Sequence, residues 1–417
     1  MLQNGPEKKT FATILQKNGY TTFYSGKYLN QYGDESVGGT SHVPPGWNWW
    51  IGLKGNSRYY DYKLSVNGSL VHHQDNPEKD YFTKVIHGYA KQFLEKRPKD
   101  KPFFMMLSTP AAHAPFTPQP KYSHNFENMT APRTKNFNIK NKLKHWLLRL
   151  GVQPLPDKDI DKIDEVYRNR LRTLLTVDDM IEDIFNYVKN EELLDQTYII
   201  FASDNGYHLG QFSLPIDKRE PYEFDSRVPF IIRGPGISSG VVSDFLTSNI
   251  DLAPTILDFA GLEIPRHMNG LSLKDILTGK IKPKQYENSI YSDSDRSFSR
   301  NLVLIEHSGE GKEVNKGCEY LGPNLSGCNP EFSCKCEDSS NNTYKCLRVA
   351  DEEHNNLYCL WDDDELFEEI YDLNSDPNQI DNLINHVDKV KCQTFQTTLA
   401  TVAKCYGESC TKKYEFP

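Results

Sequence analysis

The sequence predicts an α/β domain over residues 1–280 and a smaller C-terminal α+β subdomain over 281–417, built on an antiparallel sheet and disulfides. Three observations carry this expectation. Short runs rich in β-branched and aromatic residues, at 20–25, 101–108 and 197–202, each end in a polar loop, as buried strands do when they open at their carboxyl ends. Amphipathic stretches with helical spacing stand between these runs, the alternation that lays helices on the faces of a sheet. All nine cysteines fall between Cys318 and Cys410, among short apolar segments of strand length.

Residues 10–19 read as a helix, with Phe11, Ile14 and Leu15 on one face and Gly19 as its stop. The strand at 20–25 runs into Gly26-Lys27, which sets the Lys27 ammonium at its carboxyl end. Residues 39–68 are rich in Gly, Trp and Tyr; Trp47, Trp49 and Trp50 either stack on sugar rings or plug the core. A helix is predicted over 81–95, and then a buried strand over 101–108 that leads into Thr109-Pro-Ala-Ala-His113. Residues 117–161 are basic and broken by prolines, and read as an irregular surface insertion.

Helical spacing resumes at 164–190, through Val166, Leu171, Leu175, Val177, Ile181 and Phe185. Asp178-Asp179 inside it reads as a solvated or structurally paired helix face, with no chemistry assigned. After Gly270, segments at 290–291, 302–306, 342–349 and 369–373 read as short antiparallel strands, with the domain boundary expected between Thr278 and Tyr286. The acidic run 361–365 reads as a solvated loop.

Composition excludes some classes. A formal charge of −9 argues against a general nucleic-acid binder. No apolar run approaches the length that spans a bilayer. Clustered cysteines with polar, Gly/Pro-rich flanks point to disulfides, with one thiol left over from an odd count. Sequons begin at Asn67, Asn128, Asn324 and Asn341, and with the cysteines they point to the secretory route. The opening residues carry no signal-peptide pattern.

The most informative stretch follows the third strand. In Ser-Asp204-Asn205-Gly-Tyr-His208 a carboxylate and an amide oxygen stand side by side at a strand's carboxyl end, where open α/β sheets bind ligands. Both are hard oxygen donors suited to Ca²⁺ or Mg²⁺; an Asx turn that merely reverses the chain is the alternative. Lys218-Arg219, in the same loop, reads as an anion-binding pair or as a solvated basic pair.

From Ser203 through Arg219 and Tyr222-Glu-Phe-Asp225, and again over 249–261, 269–273 and 369–378, the sequence resembles the sulfatase family, in its lysosomal branch that acts on 6-sulfated N-acetylglucosamine. The resemblance covers nearly the whole chain. It implies an alkaline-phosphatase-like sandwich with a central mixed sheet flanked by helices. It implies hydrolysis of 6-O-sulfate in heparan or keratan sulfate, with a sulfated glycosaminoglycan as partner and the lysosome as address. It implies Lys27, His113 and Lys218 as catalytic groups, and Asp204 and Asn205 as ligands of Ca²⁺, or of Mg²⁺. His113 matches the family's His-x-Pro motif. The histidine that many sulfatases carry two residues after the Gly-Lys lysine is Leu29 here, so its general-acid role is not carried over.

Two family parts have no counterpart. The formylglycine nucleophile arises from the cysteine of a Cys-x-Pro-Ser-Arg motif ahead of the Gly-Lys strand, and no cysteine precedes Cys318. The first pair of metal-binding aspartates is missing too. The expectation is an N-terminally truncated sulfatase with negligible turnover and an exposed central strand edge. A non-catalytic binder of sulfated glycans, and a phosphoesterase of the alkaline phosphatase superfamily, are the other readings. The single Asp-Asn pair counts against the phosphoesterase.

Overall fold

The computed structural model describes residues 5–140, 142–280, 300–310, 318, 324–333 and 335–417. It divides into two compact units, one formed by Met1–Thr130 with Glu165–Thr197, the other by Ala131–Asp164 with Tyr198–Pro417.

The first unit is built on a five-stranded mixed sheet. Its strands are β1 (Thr21–Lys27), β2 (Trp49–Leu53), β3 (Lys63–Val66), β4 (Ser69–His72) and β5 (Phe103–Ser108), in the order β4-β3-β2-β1-β5. β1 runs parallel to both β2 and β5, while β2-β3 and β3-β4 are antiparallel. β1 is the buried centre because its residues are apolar or small on both faces. Gly26 has φ of 130°, and a Cβ there would lie 1.9 Å from Ser108 O, so only glycine lets β5 approach.

The helix Phe11–Lys17, capped by Thr10, delivers the chain into β1. The helix Phe82–Lys96 buries Phe82, Val85, Ile86, Phe93 and Leu94, with the Phe93 ring 4.8 Å from that of Phe23. Trp50 is fully buried and stacks at 4.7 Å on Tyr24, and Trp47 and Trp49 pack half-buried in the same aromatic layer. The tryptophans therefore plug the core. Asp179 accepts from Lys121 Nζ and Tyr122 OH, each at 2.6 Å. The mid-helix carboxylate is thus a structural tie, within a helix, Asp157–Asn190, that starts earlier than residue 164.

β5 departs from expectation. Among the described residues it is an edge strand bonded to β1 alone; its residues are half-buried and Met106 is 40% exposed. Apolar composition predicts a buried strand, but burial depends on a neighbour that composition does not name.

In the second unit β6 (Ile199–Ala202) pairs antiparallel with β7 (Phe230–Arg233), and with no other strand among the described residues. It too is half-buried, where the sequence reads as a core strand. The C-terminal part holds β8 (Leu302–His307), β9 (Leu325–Ser326), β10 (Asp338–Ser339), β11 (Tyr344–Ala350), β12 (Asn355–Trp361) and β13 (Glu368–Asp372). A four-stranded antiparallel sheet has the order β13-β12-β11-β8, and β9 and β10 form a separate ribbon. The strands predicted at 302–306, 342–349 and 369–373 are therefore present. The one expected at 290–291 lies outside the described residues, as does most of the expected boundary region.

The helix Lys389–Val402 lays Phe395, Leu399 and Val402 on Leu347, Val349, Tyr358 and Ile370 of this sheet. Asp388 caps it, accepting from Lys391 N at 2.8 Å. Asp388→Ala is expected to cost about 1 kcal/mol, read as a lowered urea midpoint with an unchanged denaturant slope. Disulfides join Cys318–Cys336, Cys346–Cys359 and Cys405–Cys410; Cys328 is also bonded, and Cys392 is the free thiol.

One expectation about surface segments is corrected and a second is refined. The insertion at 117–161 is not wholly irregular or superficial: it forms the short helix Trp146–Arg149 and buries Asn136, Lys144, His145, Leu147 and Leu148. Lys144 Nζ donates to Gln379 O at 2.6 Å and to Tyr371 OH, beneath the rings of Phe212 and Tyr222. A cation this deep is tolerated because Glu369 stands 3.8 Å away and aromatic faces surround it. The acidic run 361–365 is a loop with Asp362, Asp364 and Glu365 exposed, as expected, but it is tied inward at two points: Trp361 is fully buried, and Asp363 holds His145 at 2.9 Å.

Candidate active site

In the first unit, two of the expected groups share one edge of the sheet. β1 and β5 are parallel neighbours with Gly26 opposite Ser108, so both release their chains at the same edge. Lys27 ends β1, and His113 lies in the loop after β5. Lys27 Nζ donates to Asn56 Oδ1 at 2.7 Å. That bond aims a flexible ammonium without consuming all of its three donors.

The His113 loop is fastened from three sides. His113 O accepts from Tyr59 OH at 2.9 Å, His113 N donates to Pro110 O at 2.8 Å, and Arg170 Nη1 donates to Ala112 O at 2.6 Å. His113 Nδ1 lies 2.9 Å from Ala114 O. A carbonyl accepts only, so Nδ1 carries a proton.

The second unit carries the remaining expected residues. After β6 the backbone turns through Ser203-Asp204-Asn205-Gly206, with Asp204 Oδ1 accepting from Asn205 N at 3.0 Å, and Asp204 is exposed. The bond reaches the N–H one residue on, not the two residues on of an Asx turn, and the carboxylate is presented to solvent. Asn205 Nδ2 donates to Gly206 O at 2.7 Å, which orients the amide oxygen away from that carbonyl. Gly206 N donates to Asp225 O at 2.7 Å and Tyr207 N to Phe224 O at 2.8 Å. A Cβ on Gly206 would lie 2.1 Å from Phe224 O, so the close clip requires glycine.

Below this turn is a buried polar cluster to which the sequence reading gives no role. His208 is fully buried; its Nδ1 lies 2.8 Å from Asp225 Oδ2 and its Nε2 3.6 Å from Glu337 Oε2. Asp225 Oδ2 also accepts from Glu220 N at 3.0 Å. Burial opposes charge on His208, but Asp225 and Glu337 overcome it and raise its pKa well above the ordinary value. Burial pushes Glu337 up to about 7 and Glu220 well above the usual carboxyl range. His208 N donates to Asp217 O at 2.9 Å, so the cluster fastens both ends of the loop from Asp204 to Lys218. His208 belongs to the motif, but its carboxylate partners stand at no local spacing from it.

Lys218 is half-exposed, its backbone N–H donating to Asp217 Oδ1 at 2.9 Å. Arg219 is not its anion-binding partner: it is held by Asp217 at 2.7 Å, Asp338 at 2.6 Å and Glu310 at 2.9 Å. Three carboxylates neutralise that guanidinium, so the basic pair divides into one structural arginine and one half-exposed lysine.

Asp204 and Asn205 fit a hard divalent cation in kind but not in number. Calcium takes six to eight oxygens and magnesium six, and among the described residues no group of three or more His, Cys, Asp or Glu stands together to hold a metal ion. Among the described residues, the cysteine that the family resemblance converts to formylglycine has no counterpart. No cysteine precedes Cys318. Six of the later ones form the three described disulfides, Cys328 is also bonded, and the free Cys392 is in the C-terminal helix.

The Sulfatase family model matches residues 3–262. N-acetylglucosamine-6-sulfatase from Bos taurus is 44% identical over 407 residues, 97% of this chain and 70% of the bovine protein. The Homo sapiens enzyme of the same name is 44% identical over the same share of this chain and 71% of its own length. A protein solved in complex with its substrate D-glucosamine-2-N,6-O-disulfate superposes with a TM-score of 0.69 at 25% identity, covering 94% of this chain and 81% of that one. With the mixed sheet, the C-terminal antiparallel sheet and the disulfides in place, the fold is alkaline-phosphatase-like. The chain belongs to the sulfatase family.

Proposed function

We propose that this chain belongs to the sulfuric ester hydrolases that remove 6-O-sulfate from N-acetylglucosamine in heparan sulfate or keratan sulfate. The observation that carries this reading is 44% identity, over 97% of the chain, to relatives named for that activity. By the family resemblance, Lys27 in the first unit and Lys218 in the second each have the role of neutralising charge on a sulfate ester. His113, whose Nδ1 is tied to Ala114 O, shares a proton with the leaving oxygen. Asp204 and Asn205 would offer two hard oxygens to a divalent cation, calcium by the family resemblance. The address is the lysosome by the secretory route; disulfides support it, as do the exposed Asn67, Asn128 and Asn324 and the half-buried Asn341 as glycan acceptors.

The other reading is binding of sulfated glycans without turnover. Calorimetric titration of the 417-residue protein with N-acetylglucosamine-6-sulfate and with unsulfated N-acetylglucosamine tests what both readings share. The sulfated sugar is expected to bind at least tenfold more tightly, and Lys27→Ala to remove most of the difference. Equal affinity for the two sugars would sink both readings. Tighter binding of the 6-phosphate than of the 6-sulfate would favour a phosphoesterase.

A further inference from the structure

The loop between β2 and β3 touches both candidate groups of the first unit. Asn56 accepts from Lys27 Nζ at 2.7 Å, and Tyr59 OH donates to His113 O at 2.9 Å. Tyr59 is 1% exposed and stacks on Tyr81 with centroids 5.8 Å apart, so the loop is anchored at its middle. Between these anchors and the His113 loop opens a cavity of about 340 Å³, walled by Arg58, Tyr60, Asp61, Pro115 and Thr117 among others. Its size is at the small end of ligand sites, enough for one sugar ring.

Its chemistry suits an acidic sugar. Arg58 is exposed; its guanidinium makes one long contact, 3.4 Å to Asp61 O, and no ion pair among the described residues. A planar cation uncommitted to a carboxylate is suited to a carboxylate or sulfate on a ligand. Pro115 and the tyrosines give apolar walls for a pyranose face, and Asp61 offers an acceptor for its hydroxyls.

We propose that this cavity is the subsite for the sugar that follows the sulfated residue in the glycan, and that Arg58 reads an anionic group on that sugar. The inference rests on the proposed function, since it takes Lys27 and His113 as the groups that hold the sulfated ring. It adds a preference: a uronate-bearing, heparan-type chain over a galactose-bearing, keratan-type chain, because the latter's neutral next sugar gives the guanidinium nothing to pair with.

The test is calorimetric, on the 417-residue protein and its Arg58→Ala and Arg58→Lys variants. The probes are N-acetylglucosamine-6-sulfate, the same residue linked to glucuronate, and the same residue linked to galactose. The unsubstituted protein is expected to bind the glucuronate disaccharide about tenfold more tightly than the other two probes. Arg58→Ala is expected to abolish that gain and leave the monosaccharide unchanged, which also shows that the variant is folded; Arg58→Lys retains part of it. The gain is expected to shrink as salt rises. Glucuronate binding no tighter than galactose, or an equal loss for all three probes, overturns the subsite while the sulfate reading stands. Binding of none of the probes overturns the proposed function, and the subsite with it.

Discussion

Incubated with N-acetylglucosamine-6-sulfate and calcium, the 417-residue chain is expected to release sulfate at least about a thousandfold more slowly than the bovine or human relatives. The family resemblance puts the nucleophile on a residue made from cysteine ahead of the Gly-Lys strand, and no cysteine stands ahead of Cys318. The positioning and charge neutralisation proposed above would survive such a loss, but would supply only part of the acceleration. Hydrolases stripped of their nucleophile typically fall by about three to six orders of magnitude and keep the share due to binding and electrostatics. Sulfate release measured by ion chromatography decides the matter. A rate within tenfold of the relatives would mean that another group supplies the nucleophile, and the assignment of roles would have to be rebuilt.

The sheet edge that carries Lys27 and His113 is legible in the sequence, because it needs only local information. An apolar run that stops at a polar loop locates a strand's carboxyl end, and the parallel pairing of β1 with β5 puts two such ends together. The burial of β5 and β6 is not legible in the same way. Their composition is that of interior strands, yet each has strand neighbours on one side among the described residues, and a strand's burial is a property of its partners. Long-range polar ties escape for a related reason. Arg219 reads as a free cation until Glu310 and Asp338 arrive from the C-terminal sheet region. Lys144 reads as a surface lysine until Tyr371 and Gln379 close over it. Aromatic density, by contrast, predicts a packed layer around Trp50 well, since large apolar rings seek burial whatever their partners.

Between about pH 4 and pH 7.5 the second unit is expected to lose stability, by about 3 kcal/mol from Glu337 alone. Glu337 is buried with Lys335, Asp217 and His208 acting on it, while Glu220 and Asp225 complete the cluster around His208. Asp338, which faces the same region, is held low and stays ionised across this range because His307, Arg219 and backbone N–H groups outweigh its burial. Burial raises Glu337 from 4.5 to about 7, so the folded protein holds a proton there that the unfolded chain has already released.

A carboxyl group shifted upward contributes its full stabilisation below the unfolded value, and that contribution drains away as pH rises toward the folded value. About 2.5 units at 1.36 kcal/mol each gives the magnitude. Glu220 and Asp225 act in the same direction, as does His208, whose raised pKa means a proton bound in the folded state over a range where the unfolded chain lets it go. His145 opposes them: burial lowers it to about 4, so it gains stability as pH rises to the ordinary histidine value. One histidine offsets part of a loss to which four groups contribute, and the net slope stays negative. Urea unfolding at the two pH values measures it. Glu337→Gln keeps the shape and removes the titration, so it is expected to flatten the slope by most of that amount. A slope unchanged in Glu337→Gln, or a fold that gains stability toward pH 7.5, would show that the cluster keeps its charges at no cost. The loop from Asp204 to Lys218 would then rest on a base indifferent to acid.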